Sequence, residues 1–234
     1  MTVRNSTVLV TGANRGLGRA FAAAALERGA NKVYAAVRDP KADVPAGTTK
    51  VILDVTDPNQ IARIEKELSD VTLVVQNAGI LELGSPLDAQ GEESLRRLLE
   101  TNFWGVLRVS RAISPILARH RGAMINVVSV GSWTTFAAVA NYAISKAALW
   151  GLTNNLRQVF EPLGVSVMAL HMGYVDTDMV RKFEAPKLSV AEVVAAAYDG
   201  LEAGHREVLV DKFARNVKAG LSTEKAAYLA IPEQ

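Results

Sequence analysis

Tyr142 and Lys146 stand four residues apart in a segment of helical period, so their side chains share one helix face, one turn apart. That spacing brings an ammonium group near a phenol. A free phenol has a pKa of about 10, too high for an effective base at neutral pH, and a nearby positive charge favours the phenolate. Acid–base catalysis works best when the pKa lies near the working pH, so Lys146 is expected to make Tyr142 usable as a proton-transfer residue. Ser129 lies thirteen residues upstream, at the end of the apolar run Met-Ile-Asn-Val-Val.

A second group of residues suits a different task. The run Thr-Val-Leu-Val-Thr at 7–11 leads into Gly12-Ala13-Asn14-Arg15-Gly16-Leu17-Gly18 and then into an alanine-rich helical stretch. Glycines allow a ligand close to the backbone. A helix N-terminus adds free N–H groups and a partial positive charge, which together suit the pyrophosphate of a dinucleotide. The spacing is GxxxGxG, not the commoner GxGxxG. A plain tight turn between strand and helix is the alternative.

Both groups need a frame. Short β-branched runs alternate with longer stretches of helical period, as in stacked βαβ units. Strands are expected at 7–11, 32–37, 49–54, 73–76, 123–128, 166–171 and 207–211. Helices are expected at 18–28, 58–68, 92–119, 142–161 and 190–203, the last opened by a capping box of Ser189 and Glu192. Strands such as Leu-Val-Val and Val-Met-Ala-Leu are continuously apolar, as strands covered on both faces must be. The expected architecture is α/β: a Rossmann-type, doubly wound, mostly parallel sheet of seven strands with helices on both faces, in a single domain over 1–234.

Composition narrows the class. Apolar residues make up 49% and charged residues 21%, enough for a large core and unlike a disordered chain. The 26 basic and 24 acidic residues are scattered, so no nucleic-acid partner is expected. There is no cysteine, and His120, His171 and His205 are too far apart to suggest a metal site. No apolar run approaches the ~20 residues of a membrane span, and the first residues enter a strand without a secretory signal; no membrane association and a cytoplasmic location are expected.

Taken in order, Thr11-Gly12-Ala13-Asn14-Arg15-Gly16-Leu17-Gly18, Asn77-Ala78-Gly79, Asn102, Ser129 and Tyr142-Ala143-Ile144-Ser145-Lys146 resemble the motifs of the short-chain dehydrogenase/reductase family across nearly the whole chain. The resemblance implies an oxidoreductase that moves hydride between a nicotinamide and a carbonyl or alcohol. Tyr142 would transfer the proton. Ser129 would donate a hydrogen bond to the same substrate oxygen, with Ser132 as a rival for that place. Lys146 would also hold the nicotinamide ribose, and Asn102 a water leading from the lysine to solvent. Asp54 would bind the adenine amino group beside Val55, or else cap its own loop. Asn77, Ala78 and Gly79 would pass the middle of the cofactor, and Val175 and Thr177 would hold the carboxamide.

Family members often have asparagine at Gln76, serine at Val128 and proline at Met172; the lost proline should leave that loop less constrained. The second strand ends at Val37-Arg38-Asp39, where an NAD-specific site would carry an acidic residue. Arg38 and Arg15 could flank a 2′-phosphate, which points to NADP(H), unless Asp39 takes that place or pairs with Arg38.

Trp133 and Phe136, in the sparsely charged segment 131–140, suggest an apolar or aromatic substrate, or else core packing. His171 is read as a packing residue at a strand end. The eleven residues between Thr177 and Ser189 imply a small lid. The long helices carrying Trp104 and Trp150 suggest a homodimer or homotetramer. A nucleotide-sensing protein without catalysis is the competing reading; the full set Ser129, Tyr142 and Lys146 speaks against it.

Overall fold

The structure, a computed structural model, describes residues 1–230. Seven strands form one sheet: β1 (Thr7–Thr11), β2 (Lys32–Val37), β3 (Thr49–Ile52), β4 (Leu73–Gln76), β5 (Ala123–Val127), β6 (Ser166–His171) and β7 (Glu207–Leu209). Their order is β3-β2-β1-β4-β5-β6-β7. Every adjacent pair is parallel, so the sheet is fully rather than mostly parallel. From β1 the chain builds outward to β3 on one side and from β4 to β7 on the other. The carboxyl ends of β1 and β4 therefore diverge, the place where such sheets bind ligands.

Alternation along each strand sends neighbouring side chains to opposite faces. Val8 and Val10 pack with Phe21 and Ala25 of α1 (Gly16–Glu27) and with Val193, Ala197 and Tyr198 of α7 (Val190–Glu202). Leu9, between them, packs on the other face with Val109, Ile113 and Leu117 of α5 (Val106–His120) and Leu156 and Phe160 of α6 (Ala140–Phe160). Coverage on both faces explains why the strands are apolar throughout. Tyr198 fastens α7 to α1: its ring meets Phe21 edge-on, with centroids 5.4 Å apart, and its hydroxyl donates to the Phe21 carbonyl at 2.9 Å. The capping box of Ser189 and Glu192 opens α7.

Several boundaries depart from the sequence reading. The stretch 58–68 breaks at Arg63 into α2 (Pro58–Ala62), capped by Asp57, and α3 (Ile64–Glu67). The stretch 92–119 is three pieces: α4 (Gly91–Leu99), a π-helical turn at Glu100–Gly105, and α5. A nine-residue helix, α8 (Lys212–Gly220), follows β7 where no helix was expected; Asp211 caps it. Strands β3, β5 and β7 stop one or two residues short of their expected ends. Gln76 turns into the core and donates to Ser110 Oγ at 2.8 Å, pinning α5 to the sheet.

The last residue of β6, His171, is fully buried. Trp133 stacks on its ring at 3.9 Å between centroids, and Trp150 meets Trp133 edge-on, so these two indoles pack within the fold. The imidazole Nδ1 lies 3.1 Å from the Ser129 carbonyl, and Nε2 lies 3.5 Å from Glu207, which pairs with Lys218 at 2.6 Å. Burial outweighs these neighbours and lowers the His171 pKa to about 4. His171 is therefore a neutral packing residue. Between about pH 6.5 and 4 the unfolded chain binds a proton here that the folded chain does not, so this residue makes stability fall as pH falls. His171→Gln is expected to reduce that acid loss by on the order of 3 kcal/mol, measured by denaturant unfolding at both pH values. Identical pH dependence in both proteins would contradict this role.

Candidate active site

The phosphate turn is built on a junction between β1 and β4. The hydroxyl of Thr11 accepts the N–H groups of Asn77 and Ala78, each at 3.0 Å. The Asn77 amide in turn donates to the Thr11 carbonyl at 3.0 Å and the Gly12 carbonyl at 3.3 Å. Gly12 and Gly16 have φ of 68° and 52°, a left-handed backbone that glycine adopts without strain. Gly18 is required by space: a Cβ there would lie 2.1 Å from the Gly12 carbonyl oxygen. No side chain caps α1, and its first turn holds no acidic residue. Its first N–H groups thus remain available to an anion.

From this junction a cleft of about 310 Å³ runs along the carboxyl ends of the strands. Gly12, Asn14, Arg15, Gly16 and Leu17 line one end, with Arg38, Asp54 and Val55 beside them. Asn77, Ala78 and Gly79 line the middle, and Ser129, Tyr142, Lys146, Val175 and Thr177 the far part. Two of the expected residues stand behind the wall: Gly18 supports the turn, and Asn102 is fully buried.

Arg15 and Arg38 are both exposed. Arg15 lies 3.7 Å from Asp178. Asp39 accepts the Lys41 N–H at 2.8 Å, and among the described residues it forms no ion pair with Arg38. Asp54 caps its own loop at the edge of the cleft. One carboxylate oxygen accepts from the Thr56 N–H and hydroxyl at 2.9 and 2.7 Å, while the residue still borders the cleft.

Tyr142 is joined to the turn by a chain of hydrogen bonds. Asn102 accepts the Ile80 N–H at 2.8 Å and donates to the Ile80 carbonyl at 2.9 Å and to Ser145 Oγ at 3.0 Å. Ser145 donates to the Tyr142 carbonyl at 2.7 Å. Both donors of the Asn102 amide are thus used within the protein, and the π-helical turn is what presents it to Ile80 and Ser145 together. Such turns recur at functional sites. Thr101, next to Asn102, reaches the cleft although nothing in the sequence singled it out.

Ser129 Oγ accepts the Gly131 N–H at 3.0 Å, which leaves its own hydrogen free to be donated. Ser132 points away from the cleft, giving its hydrogen to the Ser129 carbonyl at 2.8 Å. Lys146 is buried and donates to the Val127 carbonyl at 2.9 Å. Its Nζ lies 5.7 Å from the centre of the Tyr142 ring. Burial pushes Tyr142 up to about 12, opposed by the Ser129 hydroxyl, and lowers Lys146 to about 8. The lowering of the phenol expected from Lys146 does not arise here: burial, which penalises the charged form, dominates, and only the Ser129 hydroxyl acts against it. Tyr142 is a neutral acid at pH 7.

A side pocket of about 80 Å³ opens beside Ser129 and Tyr142. Leu81, Val130, Phe136, Val139, Tyr174 and Phe213 line it, together with Thr134, Met179 and Val180. Of the two aromatics considered from the sequence, Phe136 is in the pocket and Trp133 is in the core. The segment after Thr177 is pinned at its base by pairing of Val175 with Leu188. Trp104 is exposed, whereas Trp150 packs against Trp133. Among the described residues there is no cluster suited to a metal and no helix long and apolar enough to cross a membrane.

The chain is similar to proteins already known. The chain is 30% identical over 239 residues to the 3-oxoacyl-[acyl-carrier-protein] reductase of Escherichia coli K12, covering 98% of this chain and 94% of that protein. It is 29% identical over 235 residues to the NADPH-dependent 1-acyldihydroxyacetone phosphate reductase of Schizosaccharomyces pombe, covering 97% and 77%. A short chain dehydrogenase of Burkholderia cenocepacia, solved in complex with NADP, superposes with a TM-score of 0.92 at 37% identity over 97% of both chains. The family model described as short chain dehydrogenase matches residues 6–188. With the glycine turn, Ser129, Tyr142 and Lys146 gathered at one cleft, this chain belongs to the short-chain dehydrogenase/reductase family of oxidoreductases.

Proposed function

We propose that this protein interconverts a ketone or aldehyde and the corresponding alcohol, using NADP(H), with Tyr142 as general acid and base. The observation that carries this reading is the convergence of Ser129, Tyr142 and Lys146 on a cleft whose other end is the glycine turn. When bound, the nicotinamide supplies or accepts the hydride. Tyr142, neutral at pH 7, gives its proton to the carbonyl oxygen during reduction. Ser129 donates its free hydrogen to the same oxygen and stabilises the charge that gathers there. Lys146, held by the Val127 carbonyl, keeps donors for the nicotinamide ribose hydroxyls.

The preference for NADP(H) rests on Arg38 and Arg15, two exposed guanidinium groups that line the cleft; Asp39 borders it too, with one carboxylate oxygen engaged by the Lys41 N–H. The NADP complex of the Burkholderia cenocepacia relative supports it. The side pocket has no charged lining residue, which favours an apolar or aromatic substrate.

Tyr142→Phe is expected to lower carbonyl reduction by about 10³-fold, measured as NADPH consumption, while NADPH binding persists. Full activity in that variant would overturn the mechanism. NADPH binding by the unaltered protein without hydride transfer to any of a broad carbonyl panel would favour a nucleotide sensor. Arg38→Asp should weaken NADPH by about tenfold or more and leave NADH nearly unchanged in a fluorescence titration. Equal affinity of the unaltered protein for both nucleotides would refute the NADP(H) preference.

A further inference from the structure

We infer that the start of α8 completes the substrate site, with Phe213 as a specificity-determining wall and Asp211 as the positioning residue that holds the neighbouring loop. The inference rests on the carbonyl-reductase reading above and extends it to a segment outside the matched residues 6–188.

The last pairing of β7 brings this segment to the site: the Val210 N–H donates to the His171 carbonyl at 3.0 Å. The next residue, Asp211, uses both carboxylate oxygens. One accepts the Ala214 N–H at 2.7 Å and caps α8; the other accepts the Gly173 N–H at 3.0 Å. One carboxylate thus fixes the helix start and the loop after β6. Gly173 leaves no room for a side chain, since a Cβ would lie 2.8 Å from Asp211 Oδ2 and 3.4 Å from Phe213 Cδ1.

That loop is also tied to the catalytic serine. The Val130 N–H, one residue after Ser129, donates to the Met172 carbonyl at 2.9 Å. The segments at 129–130, 172–173 and 211–213 are therefore laced together, and the carboxylate supplies a restraint that a proline at Met172 would otherwise provide. Displacing Gly173 would shift the floor shared by the cleft and the side pocket, both of which it borders.

Phe213 is the outer consequence of this lacing. Ala214 and Val217 anchor α8 inward, Val217 against Val130 and Trp133, while Phe213 stays 41% exposed. A partly exposed aromatic ring that lines the same apolar pocket as Ser129 and Tyr142 is placed to be covered by substrate and to limit its width.

The test compares kcat and KM of the full protein for a small aliphatic aldehyde and a bulky aryl ketone, both with NADPH. Phe213→Ala should raise the bulky-to-small ratio of kcat/KM by about tenfold, and Phe213→Trp should lower it. Asp211→Ser keeps a cap for α8 but is too short to reach Gly173. It should lower kcat by about tenfold with Tm and NADPH affinity close to the unaltered protein, a split that a purely structural role would not produce. Unchanged selectivity in both Phe213 variants, or an Asp211→Ser loss that merely follows Tm, overturns the inference while Tyr142-dependent activity stands. An unaltered protein that reduces no carbonyl overturns both this inference and the function it rests on.

Discussion

At the divergence of β1 and β4 two backbone N–H groups, those of Asn77 and Ala78, converge on the single hydroxyl of Thr11. Strand pairing ends just before this point, at Val10 and Val75, and the two chains must separate to leave a crevice. At this half-buried junction an N–H cut off from water and left unpaired would cost up to about 1–3 kcal/mol. The threonine satisfies both and lets the strands part. Its neighbours depend on that: the Asn77 amide reaches the Gly12 carbonyl, and α1 begins with Gly18 against the same carbonyl. On the other side the chain continues to Ile80, which Asn102 grips, and through Ser145 to the backbone of Tyr142. The glycine turn and Tyr142 are thereby parts of one connected structure, so a cofactor bound at the turn would be in register with the phenol at the other end.

The electrostatics of Tyr142 and Lys146 follow from their burial. A phenol raised to about 12 keeps its proton, and a lysine lowered to about 8 carries its charge only in part under mildly alkaline conditions. Among the described residues Lys146 forms no ion pair, and its ammonium donates to the Val127 carbonyl. Burying a cation in this way costs stability, because the unfolded chain holds the proton between about pH 8 and 10.5 and the folded chain does not. The site tolerates that cost beside a large two-faced core. A neutral tyrosine is suited to donating to a carbonyl oxygen, the step that reduction requires.

What could be read from the sequence was local. The glycine turn, the spacing of Tyr142 and Lys146, and the alternation of apolar runs with helical stretches all lie within a few residues of themselves, and they give the sheet and the centre of the site. What escaped depends on partners far along the chain. The π-helical turn at Glu100–Gly105 has ordinary helical periodicity around it, and its reason, the grip of Asn102 on Ile80 and Ser145, is a tertiary one. Gln76 faces Ser110, thirty-four residues away, and Asp211 meets Gly173 across thirty-eight. Trp133 and Phe136 sit three residues apart, yet one stacks on His171 and the other borders the side pocket. Helix α8 lies beyond every matched motif, and its nine residues gave too short a pattern to stand out.

The most direct measurement of the central claim is NADPH affinity in Thr11→Val, which keeps the shape of the side chain and removes the hydroxyl that both N–H groups share. The variant should still unfold cooperatively on heating but bind NADPH about tenfold or more weakly in fluorescence titration, because the turn is no longer held to β4. Binding as tight as in the unaltered protein would show that the junction does not organise the site.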